Sequence, residues 1–275
     1  MQTLRVLMLG DIVGEAGRAI LQKHLPLIRR DYRIDAVVVN GENSSGNGRG
    51  ITSRIMHFFK HNHVDVVTTG NHVWAAREIY SYFDQHTDLV RPANFPSGCP
   101  GSGVAMFERN GKTIAVINVQ GRIFMRENLD CPFRTMDSLL TYIRTKTNLI
   151  FVDVHAEATS EKAALAYYLD GRVSAVVGTH THVQTADEKI LPQGTAFISD
   201  LGMAGALHSS LGMKKDGIIH GFLTQMPVKF AVETAGPFVM TGVYIEVDTQ
   251  TGKAVAIERI KIIDNELQLA ASEEN

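Results

Sequence analysis

Leu4-Arg5-Val6-Leu7-Met8-Leu9-Gly10-Asp11 is a short apolar run that ends in a glycine and a carboxylate. We interpret it as a first β-strand rather than a signal peptide, because it has neither a basic leader nor a small-residue cleavage site. Four further short segments place polar side chains in a similar way, and most of them directly follow a predicted strand. They are Gly41-Glu42-Asn43, Gly70-Asn71-His72, Asp153-Val154-His155 and Gly178-Thr179-His180-Thr181-His182. Loops at the carboxyl ends of strands converge on one crevice in α/β sheets, so we expect these segments to meet there.

Through the first two thirds of the chain, short runs rich in Val, Ile and Leu alternate with longer amphipathic segments. The predicted strands are Leu4–Leu9, Ala36–Asn40, Val64–Thr68, Val104–Phe107, Thr113–Val119, Leu149–Val154 and Ser174–Val177. The predicted helices are Gly17–Arg29, Thr52–Asn62, Ala75–Phe83, Thr135–Lys146 and Glu161–Leu169. Thr52 and Ser160 stand where helix N-caps are expected. Continuous apolar strands between helices favour a sheet that is buried on both faces.

The last third of the chain has a different pattern. Phe238–Val247 alternates and is rich in aromatic and β-branched residues, and a turn-like cluster separates it from Ala254–Ile263. This pattern predicts a β-hairpin. We therefore expect an α/β fold with two sheets packed together and helices outside them, four layers in all. We expect one domain over residues 1–265 and a C-terminal tail over 266–275, frayed at Ala270–Asn275.

Composition excludes several classes of protein. The 275 residues carry a net charge of -2 and a pI of about 6.6, which is no strong footprint for general nucleic-acid binding. Cys99 and Cys131 are the only cysteines, so neither a disulfide scaffold nor a thiolate zinc site is expected. No apolar run is long enough to span a bilayer. We expect a cytoplasmic protein with reduced thiols and no membrane partner.

The five polar segments together offer carboxylate, amide and imidazole groups without thiolate. That inventory suits Mn, Fe, Zn or Mg rather than copper or an iron–sulfur cluster. His180 and His182 are two residues apart, so on an extended segment they point the same way and can share a binuclear site. The alternative is a run of loops whose polar side chains only form hydrogen bonds with one another. It would require all five segments to occur in this order, and at these positions relative to the strands, by chance.

The segments Gly10-Asp11-Ile12-Val13-Gly14, Asn40–Gly50 and Gly178–Thr185 resemble the calcineurin-like metallophosphoesterases, and in particular their bacterial YmdB-type branch. The resemblance covers residues from Met1 to about Ile263. It implies the four-layer α/β/β/α sandwich with two packed mixed sheets. It also implies two divalent or trivalent metal ions, with Fe or Mn favoured over Mg or Zn.

The resemblance also implies roles for single residues. It assigns one metal ion to Asp11, Glu42, Asn43 and His182, and a second to Glu42, Asn71, His155 and His180. His72 is then not a ligand but the general acid that protonates the leaving oxygen. Val13 departs from the wider superfamily, which has a metal-binding histidine there, and Asn43 is expected to fill that vacancy.

The function implied is metal-dependent hydrolysis of a small phosphodiester, with a 2′,3′- or 3′,5′-cyclic nucleotide as the substrate class. The alternatives are a regulatory protein of RNA decay or signalling with a mainly structural metal site, a phosphomonoesterase, or a nuclease. A homo-oligomer is the default assembly because symmetric association is common. Three features are left open as substrate contacts, namely Arg49, Trp74 and the loop from Ser199 to Gly217.

Overall fold

The computed structural model describes residues 2–269, so the predicted fraying of Ala270–Asn275 lies outside the described residues. The strands are β1 (Thr3–Ile12), β2 (Ala36–Asn40), β3 (Val66–Thr68), β4 (Val104–Arg109), β5 (Lys112–Gln120), β6 (Ile150–His155), β7 (Ala175–Thr179), β8 (Lys189–Ile190), β9 (Ala196–Ile198), β10 (Met203–Ala206), β11 (Phe238–Asp248) and β12 (Ala254–Asp264). The helices are α1 (Gly14–Asp31), α2 (Ser53–His61), α3 (Ile79–Gln85), α4 (Pro132–Ile143), α5 (Thr159–Leu169) and α6 (Lys215–Thr224). Among these residues no helix is both long enough and apolar enough to cross a membrane.

The strands form two six-stranded mixed sheets. The first has the order β12-β11-β10-β1-β2-β3, and β11 also pairs directly with β1. The second has the order β4-β5-β6-β7-β9-β8. β1, β2 and β3 run parallel, as do β5, β6, β7 and β9. Each parallel group therefore brings its carboxyl ends to one edge of its sheet.

Alternation along the central strands produces the layers. On β1, Val6 and Met8 join an apolar cluster between the two sheets, which also contains Phe151 of β6. Leu7 and Leu9 point the other way, into a cluster with α1 and α2. A third cluster joins the outer face of the second sheet to α4 and α5. Because successive side chains of a strand point to opposite faces, the order is helix, sheet, sheet, helix, which confirms the predicted four layers.

Most predicted elements are present with shifted ends. The hairpin of β11 and β12 forms with antiparallel pairing from Phe238 to Val247, and its register shifts between Glu246 and Val247. Thr52 caps α2, its Oγ1 accepting a hydrogen bond from the backbone N–H of Ile55 at 3.3 Å. The Ser160 cap is wrong, because α5 begins at Thr159 with Ala158 as its N-cap.

The helix predicted at Ala75–Phe83 begins later, at Ile79. Residues 71–78 form successive turns instead, in which Val73 donates to the carbonyl of Gly70 and Ala75 to that of His72. The backbone N–H of His72 is bound by a carboxylate elsewhere in the fold, at 3.0 Å. The segment is thus held by a tertiary contact, which overrides its local helical tendency.

Asp264, at the end of β12, ties that strand to α1. Its Oδ2 lies 2.7 Å from Lys23 Nζ and 2.6 Å from His24 Nε2, and its Oδ1 accepts hydrogen bonds from the backbone of residues 266 and 267. The Lys23 hydrogen bond is the main cause that holds the pKa of Asp264 well below its ordinary value of 3.8. Leu267 and Leu269, beyond this anchor, pack against the first core cluster.

Asp264→Asn should lower the free energy of unfolding by about 1–3 kcal/mol at pH 7, because charged hydrogen bonds are lost. A carboxyl with a depressed pKa in the folded state stabilises the protein above pH 3.8 and loses that effect as pH falls through the folded pKa. Urea unfolding at stepped pH should show the difference between the two proteins shrinking below about pH 4. Asp31→Asn, which alters an exposed ion pair of α1, is the control. A difference that is independent of pH would contradict this role.

Candidate metal centre

Seven potential ligands and His72 converge where the carboxyl ends of the parallel strands meet. The first sheet supplies Asp11 at the end of β1, Glu42 and Asn43 after β2, and Asn71 and His72 after β3. The second sheet supplies His155 at the end of β6 and His180 and His182 after β7. Side-chain separations of 4.0 Å or less link all eight, so none of the residues predicted for the site lies elsewhere.

One part of the cluster surrounds Nε2 of His155. Asn71 Oδ1 and His180 Nδ1 each lie 3.0 Å from it, and Glu42 Oε1 lies 3.2 Å away. A single ring nitrogen cannot satisfy three such neighbours with one proton. Atoms that each bind one metal ion at about 2.1 Å have separations of this size. Glu42, His155 and His180 each offer a ligand atom within 4.8 Å of the other two, which is close enough to hold one metal ion.

The other part of the cluster surrounds Oδ1 of Asp11. Asp11 is completely buried, and this oxygen has no hydrogen-bond partner among the described residues. Its neighbour is His182 Nε2 at 3.7 Å, which in turn lies 3.2 Å from Asn43 Oδ1. A buried carboxylate oxygen without a donor is costly unless a cation binds it, so this side of the cluster also fits a metal.

Electrostatics at Asp11 point to the same need for a cation. Burial raises the pKa of Asp11 to about 6, although His182 and His155 oppose the shift. Burial also disfavours the Glu42 carboxylate, but the charge and hydrogen bond of His155 outweigh it and hold the pKa of Glu42 well below 4.5. Burial and the nearby His155 lower the pKa of His180 to about 3. His180 is therefore neutral, which is the form of imidazole that binds a metal.

Two glycines make room for this arrangement. Gly10 forms an irregularity in the pairing of β1 with β2, and its Cα faces the carbonyl of Gly202 so closely that a Cβ would lie 2.1 Å from that oxygen. The irregularity sets the direction of Asp11, as bulges beside functional sites do. Gly70 leaves space for the ring of His155, since a Cβ there would lie 2.2 Å from the imidazole.

A layer of hydrogen bonds lies behind His155. Its Nδ1 faces Thr179 Oγ1 at 3.0 Å, and Thr179 donates to the buried Asp153 at 2.7 Å. Asn40 also donates to Asp153, and its Oδ1 accepts the backbone N–H of Glu42 at 3.1 Å. The network fixes which ring nitrogen of His155 faces the cluster, as outer partners of metal-binding histidines do.

A buried ion pair holds the segment that carries His180 and His182. Lys162 of α5 and Asp200 are 1% and 2% exposed and lie 2.7 Å apart. Asp200 accepts the backbone N–H of Thr181 at 3.1 Å and that of Gly202 at 2.8 Å. The two histidines have positive φ angles of 100° and 63°, which are unfavourable for residues other than glycine. The ion pair helps to hold this strained backbone in place.

Val13 and His72 are the two residues that the sequence set apart from the proposed ligands. Val13 is buried in a small apolar cluster with Met203, Val232 and Val239, and it takes no part in the polar cluster. His72 Nδ1 lies 3.1 Å from Glu42 Oε1, and its ring is partly exposed. This contact leaves its Nε2 available to a substrate.

Several residues of the site received no role from the sequence. Asp153 stands in one of the five polar segments and Asp200 in the long loop that begins at Ser199, but the sequence does not show which groups they bind. Lys162 gave no signal, because lysines on amphipathic helices are usually exposed. Glu157, two residues after His155, lies 3.1 Å from His180 Nε2. Trp74 packs among Phe83, Phe95 and Tyr80, which indicates a structural role.

Comparison with known proteins gives a consistent family. Residues 7–260 match the model of the family described as YmdB-like protein. The chain is 48% identical over 264 residues to the 2′,3′-cyclic-nucleotide 2′-phosphodiesterase of Bacillus subtilis (strain 168), covering 96% of this chain and 99% of that one. It is 41% identical to a hypothetical protein from Thermus thermophilus, with a TM-score of 0.87 and coverage of 95% and 100%. It is 34% identical to a novel phosphatase from Mycoplasma pneumoniae, with a TM-score of 0.90 and coverage of 96% and 95%.

Lys162→Met should weaken metal binding by roughly 10–100-fold, because Asp200 loses its counter-charge and no longer fixes the backbone between the two histidines. The dissociation constant for manganese, measured by competition with a fluorescent chelator, tests this. Lys162→Arg should restore most of the affinity. Arg172→Met, which breaks a half-exposed ion pair with Asp137 near α5, is the matched control. Unchanged manganese affinity in a folded Lys162→Met protein would refute the positioning role.

Proposed function

The chain belongs to the YmdB-like protein family, and from that membership and the geometry of the cluster we propose that it is a dinuclear metal-dependent phosphodiesterase. The fold is that of the calcineurin-like phosphoesterases. The substrate class is the small cyclic nucleotide. The 48% identity to a 2′,3′-cyclic-nucleotide 2′-phosphodiesterase over nearly the whole of both chains favours 2′,3′-cyclic over 3′,5′-cyclic nucleotides.

The observation that carries this proposal is the crowding of donor atoms around His155 Nε2 beside the unpartnered oxygen of Asp11. We assign one ion to Asp11, Glu42, Asn43 and His182, and a second ion to Glu42, Asn71, His155 and His180. Glu42 would belong to both sets of ligands. The neutral amide ligands limit the negative charge of the site, which favours the approach of an anionic phosphate.

When bound, the metal ions supply Lewis acidity that activates water and neutralises charge on the phosphoryl group. The residues of the chain orient the reaction. The Glu42 carboxylate accepts hydrogen bonds from the backbone N–H and from Nδ1–H of His72. This contact leaves Nε2 of His72 facing away from Glu42. Nε2 of His72 then gives its proton to the 2′-oxygen as the bond from phosphorus to that oxygen breaks. The added water oxygen stays on phosphorus, and the product is a 3′-phosphomonoester.

We propose iron or manganese as the native metals, with magnesium or zinc able to bind the same ligand class. Hydrolysis by metal-stripped protein, reloaded with iron(II), manganese or magnesium, tests this on bis-p-nitrophenyl phosphate, p-nitrophenyl phosphate and the 2′,3′- and 3′,5′-cyclic forms of AMP. Turnover confined to p-nitrophenyl phosphate would indicate a phosphomonoesterase. Metal binding without turnover would favour a regulatory protein with a structural metal site.

His72→Ala should keep both metal ions while kcat for 2′,3′-cyclic AMP falls roughly 10²–10⁴-fold, as expected for loss of a general acid. Metal content measured by mass spectrometry and steady-state rates test the two halves of this statement. His61→Ala, which changes an exposed histidine of α2, is the control. A parallel loss of metal and activity would make His72 a ligand instead.

We also propose a cytoplasmic location and a homo-oligomer. Both cysteines are free thiols, as is usual in a reducing compartment.

Helix α6 has no buried residue among the described residues, and its Phe222 and Leu223 are 77% and 80% exposed. Exposed apolar groups of this size commonly mark interfaces. The paired change Phe222→Ser and Leu223→Ser should lower the mass measured by light scattering; an unchanged mass would contradict an interface at α6.

A further inference from the structure

A cavity of about 300 Å³ opens between the loop that follows Asn43 and the segments around Met213 and Phe230. Its volume is at the lower end of ligand pockets, which span roughly 300–1,000 Å³. It is lined by Asn47, Arg49, Met213, Val228, Lys229 and Phe230. Two cations, an amide and an aromatic ring are the groups that recognise a phosphate and a base.

Each wall of the cavity is hydrogen-bonded to a proposed metal ligand. On one side, Asn43 Nδ2 donates to the carbonyl of Gly48 at 2.9 Å, and Arg49 is the next residue. On the other side, His182 Nδ1 lies 2.9 Å from the carbonyl oxygen of Leu211. Gly48 closes the gap between the walls, because a Cβ on it would lie 2.5 Å from Cε of Met213. The cavity is therefore linked by hydrogen bonds of its walls to two of the proposed metal ligands.

The wall that carries Lys229 and Phe230 is fixed at its base. Met213 forms antiparallel bridges with Ser210 and with Val232, and the backbone N–H of Lys214 donates to the carbonyl of Ala231 at 2.8 Å. Val232 is buried in the apolar cluster with Val13. Lys229 and Phe230 thus extend from an anchored backbone rather than from a free loop.

The two cations of the cavity have no acidic partners among the described residues. Over residues 2–269, neither Arg49 nor Lys229 takes part in a salt bridge. The whole chain has a net charge of -2, so two such cations in one cavity are a local exception. Phe230 is 48% exposed, which leaves part of its ring open to a base. The cavity is complementary to an anion that carries an aromatic group.

On the basis of the proposed function, we propose that this cavity binds a second nucleotide, joined to the 5′ side of the one whose cyclic phosphate is hydrolysed. A 2′,3′-cyclic phosphate occupies both the 2′- and 3′-oxygens, so only the 5′-oxygen of that nucleoside can carry a further nucleotide. The linking phosphate lies against Arg49 and Lys229, and the added base lies on Phe230. The preferred substrate is then an RNA fragment that ends in a cyclic phosphate.

The test compares adenosine 2′,3′-cyclic phosphate with the dinucleotide ApA that ends in a 2′,3′-cyclic phosphate. Bis-p-nitrophenyl phosphate, which has no second phosphate, is the reference. We expect kcat/KM of the wild-type protein to be about tenfold or more higher for the dinucleotide than for the mononucleotide, the effect of one charge-assisted contact. A pentanucleotide with the same end distinguishes a free dinucleotide from the end of a longer RNA.

Arg49→Gln and Lys229→Gln should each lower the ratio of kcat/KM for the dinucleotide to that for bis-p-nitrophenyl phosphate, mainly through KM. Phe230→Leu should lower it as well, because the stacking surface is lost. Lys60→Gln removes the same charge from an exposed lysine of α2 and is the matched control. A wild-type protein without preference for the dinucleotide, or equal ratios in all these proteins, would overturn the proposal.

A binding measurement separates this proposal from the proposed function. Calorimetry with ApA carrying a 3′-phosphate reports occupation of the cavity without requiring turnover. Weaker binding in Arg49→Gln than in Lys60→Gln supports the cavity even if no diester is hydrolysed. Equal binding in the two variants, together with hydrolysis of bis-p-nitrophenyl phosphate, would leave the phosphodiesterase intact and exclude the second nucleotide site.

Discussion

Two buried carboxylates, Asp11 and Glu42, impose the constraint on which the rest of the structure depends. Both stand at the ends of strands in the first sheet, where water cannot solvate their charge. An isolated buried carboxylate is very costly, so another part of the fold must compensate these two charges. It can do so with a positive charge, or with nitrogen lone pairs that hold a bound cation. The second sheet supplies them through His155, His180 and His182. The need to compensate two charges thus fixes how the ends of the two sheets face each other.

The hydrogen-bonding groups behind the proposed ligands serve to position the ligand segments rather than to stabilise the fold. A buried ion pair such as that of Lys162 and Asp200 contributes little net stability, because desolvation offsets its attraction. Its carboxylate binds two backbone N–H groups that border the ligand segments, one at Thr181 and one at Gly202. Gly202 in turn accepts the backbone N–H of Asp11 at 3.0 Å. One carboxylate therefore positions ligand segments of both sheets.

The extent to which the sequence predicts this protein depends on the range of the interactions involved. Strands β1 to β7 follow from continuous apolar runs and the β11–β12 hairpin from local alternation, whereas β8, β9 and β10 were not predicted. The candidate ligands follow from their position at strand ends. The start of α3 was shifted because a distant carboxylate binds the backbone of His72. The cap at Ser160 was wrong because α5 already begins at Thr159. Lys162 and Asp200 are 38 residues apart, and only the folded chain shows that they meet. The cavity at Arg49 likewise depends on packing between two loops that share no sequence signal.

The pairing of β1 has a consequence for biosynthesis. β1 is the first strand of the chain, yet its neighbours include β10 and β11, which begin at Met203 and Phe238. While the ribosome makes the residues between them, one edge of β1 has no native strand to pair with. Such open edges invite pairing with other chains, and distant contacts slow folding. Nascent chains of this protein are therefore exposed to misassembly until the last third has emerged.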